Sequence, residues 1–368
     1  MQKIYRVGII GSTGRGNYGH GVDMAFTKLD NVKIVSIADP DDGGRTQAQQ
    51  RTGAGESYAD FRKMLATEKL DIVAICTRWI DQHHAMLMAA AEAGCHVYME
   101  KPFCPTLKQS DEVVQALQMR HLHLGIAHVT QYSPVLDTVL SVLGSGDLGE
   151  ILEIRGRGKE DRRGGGEDLW VLGSHVFGMM RSLGGGQPKR CSATVSLRGQ
   201  PVTKKDVVDG AEGLGLLAGD HVQAHYEFPG AIHGYFASKR NAGGNPTRFG
   251  VQVFCSRGIL ELQSGYLSPA RILRDSSWSP GRTSSTWDTI TSAGIGQPEP
   301  LPNATYAGGH MAAIRDLMNS IESGDATRCS AEDCRDIVEM TAAVYESHRL
   351  GGPVDLPLDL RDNPLAHL

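Results

Sequence analysis

The chain begins by alternating apolar runs with amphipathic stretches. Residues 4–10 form an apolar run of strand length, followed by a turn and a helical pattern through Met24, Ala25, Phe26 and Leu29. "VKIVSIAD" (32–39) reads as a buried strand ending on a carboxylate, and "DIVAIC" (71–76) as another, before a helix over 82–93 closed by Gly94. "HVYME" (96–100) is a strand running into Lys-Pro, 106–120 a helix and "HLGIAH" (123–128) a strand. Apolar strands separated by helices of this length predict a parallel sheet covered on both faces.

The pattern then changes. Val135, Leu136, Val139, Leu140 and Leu143 mark one face of a helix ending at Gly144. Strand patterns follow at 150–159, 189–198, 214–228, 231–238, 248–255 and 258–263, interrupted by one helix at 173–183. Residues 275–305, rich in Ser, Thr, Pro and Gly, read as a long loop. Two helices close the chain, one marked by Met311, Ile314, Leu317, Met318 and Ile321, the other containing 337–345. The expected fold is a doubly covered α/β domain (1–128), then an α+β domain on an open, mostly antiparallel sheet (129–305). Residues 306–368 are expected to pack back toward the first domain.

Composition narrows the function. A net charge of −5 supplies no field to hold nucleic acid or an anionic membrane. The apolar runs fall short of the ~18 residues a membrane span needs. The chain enters a strand at once, which predicts no signal peptide. Seven scattered cysteines do not resemble a disulfide framework and predict a reducing cytoplasm. Among fourteen histidines, His221 and His225 have helical metal-ligand spacing. "HVQAHYEF" alternates, however, and four residues of strand span ~13 Å, too far for one ion. No protein-built metal site is expected.

The chemistry concentrates after the first strand, where Gly8, Gly11, Gly14, Gly16, Gly19 and Gly21 fall within fourteen residues. Glycine is costly to order, so this density marks a sharp bend or a ligand lying on the backbone. Strand, glycine turn and helix together make a phosphate site. In the frame Gly11-Ser12-Thr13-Gly14-Arg15-Gly16 the dinucleotide fingerprint is imperfect, with Thr13 at the middle glycine. Asp39, ending the second strand, suits a ribose diol and favours NAD; Arg45 nearby keeps NADP open. Thr77, Arg78 and Trp79, after the strand at 71–76, lie where open α/β sheets bind ligands and are expected at the cofactor or substrate edge.

At "GCHVYMEKPFCPT" (94–106) the sequence resembles the glucose–fructose oxidoreductase / inositol 2-dehydrogenase / MocA family. Gly94, His96, Val97, Glu100, Lys101 and Pro102 match its EKP motif. The likeness extends over the glycine turn, "ADPD" (38–41), His83, "LGSHVFGMMRSLGG" (172–185) and the terminal helices. It implies a Rossmann domain, a second domain with an open sheet and a homo-oligomer, dimer or tetramer, through that sheet. It also implies NAD(P)-linked oxidation or reduction of a sugar or cyclitol carbon, with His83 and Glu100 at the cofactor. Lys101 matches the lysine that reaches the substrate hydroxyl. His175 matches the histidine of D-x-G-x-H, but the aspartate position holds Val171.

Hydride transfer from a carbinol needs a base for the hydroxyl proton and a cation or donor for the developing alkoxide. His175, with an ordinary imidazole pKa near ~6.5, suits the base, and Lys101 the alkoxide. Glu167 or Asp168 could supply the carboxylate missing at Val171. His128, Gln131, Arg163 and Trp170 are candidate substrate contacts. Arg155 and Arg157, alternating on one strand, read as a polar sheet face or an interface. The resemblance also covers enzymes that hydrolyse glycosides through transient C3 oxidation, so NAD-dependent glycosidase stands as the alternative to sugar dehydrogenase.

Overall fold

The structure is a computed structural model describing residues 3–302 and 305–368. It divides into two compact units. Among the described residues the first comprises 3–132, 211–215 and 305–335; the second comprises 133–210, 216–302 and 336–368.

The first unit is built on six parallel strands, β1 (Tyr5–Ile10), β2 (Val32–Ala38), β3 (Glu56–Tyr58), β4 (Ile72–Ile75), β5 (His96–Met99) and β6 (Leu124–Ile126), in the order β3-β2-β1-β4-β5-β6. β1, β4 and β5 are apolar because helices cover both faces, and Val7, Ile9, Ile72, Val73, Val97 and Met99 are fully buried. The covering helices are α1 (Val22–Phe26), α2 (Asp42–Thr52), α3 (Phe61–Thr67), α4 (His83–Glu92) and α5 (Leu107–Gln118). Side-chain caps start three of them: Asp41 accepts from Gly44 N, Asp60 from Arg62 N and Thr106 from Gln109 N. The order reverses between β1 and β4, so the chain leaves these neighbours in opposite directions and opens a crevice at their carboxyl ends.

In the second unit α6 (Pro134–Gly144), capped by Ser133, precedes β7 (Ile151–Arg157), and α7 (Gly166–Val171) leads into α8 (Gly173–Leu183). The main sheet then takes β8 (Arg190–Leu197) and β9 (Gln200–Pro201). A two-stranded ribbon joins β10 (Val208–Asp209) to β11 (Leu216–Leu217). Further strands are β12 (His221–Glu227), β13 (His233–Lys239), β14 (Gly250–Cys255), β15 (Gly258–Gln263), β16 (Ala270–Leu273), β17 (Trp287–Thr291), β18 (Gly294–Ile295) and β19 (Val354–Asp355). The main sheet runs β18-β17-β16-β15-β14-β7-β13-β12-β8-β19, with β9 on β8, and only β7 and β13 pair parallel. α8 lies on β7 because Gly156 leaves room for Val176 and Met180. Phe177, Tyr226 and Phe236 pack together beneath it, with ring centroids 4.7 and 5.6 Å apart.

Two expectations are corrected. The segment 275–305 is not a plain loop: a short helix, α9 (Pro280–Thr283), and β17 and β18 lie in it, and β17 pairs with β16. Its polar composition hid a strand, next to the edge strand β18, that buries only Ile290 and Thr291 of its five residues. The closing region also does not return as one block. α10 (Tyr306–Ser323) packs in the first unit, where the Tyr5 hydroxyl reaches Met318 O and Glu322. α11 (Ala331–Leu350) joins the second unit from Asp336 onward: Tyr226 donates to Met340 O, and β19 pairs with β8.

Candidate functional site

The glycine turn is a pinched excursion. Ser12 and Asn17 face each other across an antiparallel bridge, exchanging backbone hydrogen bonds of 3.1 and 2.9 Å. Gly14 and Gly16 take positive φ between them, and Gly14 N donates to Asn17 Oδ1. The Tyr18 ring then lies flat against Gly11, in space any side chain there would need. The excursion's tip reaches the segment after β4. Thr77 Oγ1 donates to Arg15 O at 2.7 Å, and Gly16 leaves room for the Arg78 backbone. The Arg15 guanidinium meets Asp81 at 2.5 Å and covers the Trp79 ring at 4.5 Å. Residues 211–215 dock on the same segment, with Glu212 3.9 Å from Arg78 and Gly213 against Asp81.

Asp39 is fully buried. Its carboxylate accepts from Thr13 N (3.1 and 3.2 Å), Thr13 Oγ1 (2.8 Å) and Asp41 N (3.0 Å). Burial and the Asp39 charge push the nearby Tyr18 phenol up. Arg45 donates to Asp39 O at 2.7 Å and pairs with Asp42. A cleft of about 190 Å³ opens beside this strand end, lined by Ile10, Gly11, Asp39, Pro40, Phe61 and Met86 among others.

At the end of β5, Glu100 accepts from His20 N at 2.9 Å and His20 Nδ1 at 2.8 Å on one oxygen, and from Lys101 N at 3.2 Å on the other. Burial would raise its pKa; the His20 hydrogen bond and the charges of His20, His310 and Lys101 outweigh it and hold the carboxyl down to about 2. Lys101 is buried to 6 % exposure. Burial first, then the Lys101 charge, pushes the buried His128 imidazole down to about 3, so it stays neutral near pH 7. Gln131 is buried in the short helix that follows. His83 is fully buried, its ring nitrogens 2.7 Å from Pro102 O and 2.9 Å from Thr77 O. It braces the EKP turn against the end of β4.

In the second unit His175 sits in the first turn of α8, its N–H donating to Leu172 O and its ring edge-on to Phe249 at 6.1 Å. Asp168 is fully buried and accepts from Ser238 Oγ (2.5 Å), Glu160 N (3.1 Å) and Lys159 N (3.4 Å). Burial raises its pKa above the usual aspartate value. It fastens the end of β7 to β13. Glu167 lies in the first turn of α7. Arg163 is forked onto Asp161, with bonds of 3.1 and 2.6 Å. Trp170 is buried with its indole N–H unpaired. Arg155 pairs with Glu153 and covers Phe254, while Arg157 pairs with Glu160, so both belong to the sheet face. A trough of about 770 Å³ on that face includes His225 and Tyr235. Among the described residues no three His, Cys, Asp or Glu side chains gather as metal ligands, and no helix is long and apolar enough to cross a membrane.

The sequence alone does not single out His20, His310 or Tyr98, whose hydroxyl lies 2.7 Å from His310 Nδ1. One signal was present: an intact G-x-G-x-x-G also starts at Gly14 and ends at Gly19, placing His20 directly after the motif's last glycine.

A six-stranded parallel sheet with a glycine turn at its switch point and a carboxylate ending β2 defines a dinucleotide-binding protein of Rossmann type. Residues 5–128 match the oxidoreductase family with an NAD-binding Rossmann fold, and 137–261 match the GFO/IDH/MocA C-terminal domain. The chain belongs to this GFO/IDH/MocA oxidoreductase family. It is 25% identical to the inositol 2-dehydrogenase of Corynebacterium glutamicum over 157 residues, 42% of this chain and 46% of that one. It is 29% identical to a glycosyl hydrolase family 109 protein of Shewanella amazonensis over 192 residues, 46% of this chain and 40% of that one. The matches thus span under half the length of these relatives. A levoglucosan dehydrogenase, solved with NADH and levoglucosan, superposes with a TM-score of 0.77 at 21% identity, covering 97% of this chain and all of that one.

The turn's own atoms fit a dinucleotide. Arg15 Nε and Arg78 Nε are buried donors without partners, suited to an anionic pyrophosphate. The apolar cleft beside Asp39 suits a planar heterocycle.

Proposed function

We propose that this protein is an NAD-dependent oxidoreductase acting on a secondary hydroxyl or ketone of a sugar, glycoside or cyclitol. The observation that carries this reading is Lys101, a buried ammonium beside the ionised Glu100 at the carboxyl end of β5. NAD, when bound, supplies the hydride acceptor. The glycine turn, Arg15 and Arg78 hold its phosphates, and Asp39 and the adjacent cleft hold its adenosine end. With Asp39 buried and Arg45 committed to Asp42, NAD is preferred over NADP.

Lys101 stabilises the developing alkoxide, and His175 takes the hydroxyl proton. Asp168 is committed to Ser238 and Glu160, so Glu167 is assigned as the carboxylate that orients His175 in place of the missing aspartate. The proposed substrate contacts are His128, neutral beside Lys101, and Gln131 in the first unit, and Trp170 in the second. The glycosidase reading needs a further base for the proton beside a transient ketone. The family 109 relative and the neutral His128 favour keeping it.

The protein is further proposed to be cytoplasmic and to assemble through the exposed face of its large sheet, where Tyr235 is 41 % exposed. The decisive experiment incubates purified protein with assorted glycosides and cyclitols, following nicotinamide absorbance and free sugar together. Absorbance change with substrate marks a dehydrogenase. Sugar release without net absorbance change marks the hydrolase. Neither signal with any compound, despite bound NAD, refutes both. Lys101→Ala should abolish turnover and leave NAD affinity within a few-fold.

A further inference from the structure

The EKP carboxylate is held by a residue from outside its own motif. His20 comes from the enlarged glycine turn, and both its backbone N–H and its ring Nδ1 point at the same oxygen of Glu100. A carboxylate only accepts, so Nδ1 carries the proton in this pair. Gly19 makes the approach feasible: a Cβ there would sit 2.5 Å from the Glu100 side chain. Tyr306 fixes the plane of the His20 ring by stacking on it, with centroids 5.1 Å apart and planes at 27°.

We propose that His20 is a positioning residue for Lys101: it anchors the Glu100 carboxylate toward the glycine turn and keeps it from capturing the Lys101 ammonium. The inference rests on the reading of Lys101 as the group facing the reacting hydroxyl. The charged and titratable groups around Glu100 include His20 from the turn, Lys101 beside it, Tyr98 on β5, His310 from α10, His128 after β6, His83 on α4 and Cys76 after β4. Among them, His20 donates a side-chain hydrogen bond to the carboxylate.

The direction of the effect follows from charge. Without the His20 donor the Glu100 charge is shared less, so it stabilises the neighbouring ammonium more. Loss of any positive charge on His20 acts in the same sense. Both favour the protonated amine and move its titration to higher pH.

Two variants separate the roles. His20→Phe keeps a ring to stack on Tyr306 and removes the donor. His20→Asn keeps a donor near the Nδ1 position and removes the ring. The proposal expects His20→Phe to lower kcat by about tenfold or more, the scale of a lost charge-assisted hydrogen bond. The falling limb of its pH profile, where the Lys101 ammonium loses its proton, should move to higher pH, with NAD affinity within about threefold. His20→Asn should restore most of both. Equal losses in the two variants, or an unmoved pH profile in His20→Phe, overturn it. A readout independent of turnover is the pH dependence of Lys101 acetylation by acetic anhydride, followed by mass spectrometry. An alkaline shift in His20→Phe alone supports the proposal; no shift overturns it. A wild-type protein that turns over no carbohydrate, yet shows that shift, would refute the functional reading and leave the positioning role standing.

Discussion

Thr13 and Asp39 are joined twice, once through the Thr13 amide and once through its hydroxyl. The residue that breaks the glycine fingerprint is therefore the one that secures the carboxylate ending β2. Space for it comes from elsewhere: a Cβ on Gly44, in the first turn of α2, would collide with the Thr13 side chain.

Gly44→Ala should push Thr13 off Asp39 and cost about 1–3 kcal/mol, the scale of leaving a buried polar group unsatisfied. Thr13→Gly, which restores the usual fingerprint, should relieve most of the added cost of Gly44→Ala. A urea double-mutant cycle checks this. Strictly additive losses would show that the two positions do not share one space.

Glu100 ties the acid limb of stability to the site. Burial opposes its ionisation, but the His20 hydrogen bond and neighbouring positive charges hold its pKa at about 2 in the fold, against about 4.3 unfolded. A depressed carboxyl stabilises above the unfolded value and loses that contribution as pH falls toward the folded one. Glu100→Gln should lose about 2–3 kcal/mol at pH 7 and unfold with a flatter dependence between pH 4 and 2. Chemical denaturation at several pH values measures it.

Asp168 behaves in the opposite sense. Burial raises its pKa, so its contribution is fully favourable below about pH 4 and declines as pH rises through the folded value. Asp168→Asn should remove that decline, gaining relative to wild type as pH rises from 4 to 7. Asp168→Ala should cost about 1–3 kcal/mol by stranding the Ser238 hydroxyl and the Glu160 amide. Thermal unfolding of both variants across that range separates the two effects.

Glu167 and His175 are assigned as one unit, so their losses should not add. His175→Ala alone is expected to lower kcat by about 10²–10⁴-fold. Adding Glu167→Gln should then cost almost nothing more, although Glu167→Gln alone lowers kcat substantially. Multiplying losses would remove Glu167 from the mechanism.

The parallel sheet was legible because β1, β2, β4 and β5 are nearly unbroken apolar runs, and only burial on both faces produces such runs. β17 was not, because it buries only its last two residues and Trp287-Asp288-Thr289 reads as loop. The chemistry divides in the same way. Lys101 and Glu100 lie in a contiguous motif, but the His20–Glu100 pair joins positions eighty residues apart and exists only once β1 and β5 flank β4. Asp168 was noticed for its charge and its distance in sequence from His175. Its commitment to Ser238 depends on β7 and β13 pairing in parallel, a register that local pattern does not encode.

The bridge between Ser12 and Asn17 has a consequence for redesign. Those two residues form a closed stem, and the four between them make a hairpin outside the path from β1 to α1, tied to the scaffold at Asp39, Thr77 and Asp81. Insertions, deletions or grafted sequences within that hairpin alter what faces a dinucleotide while the stem keeps Tyr18 seated on Gly11. The tip proposed to face the phosphates is thus exchangeable, whereas Asp39 and Arg45, to which the preference for NAD is assigned, stay with the scaffold.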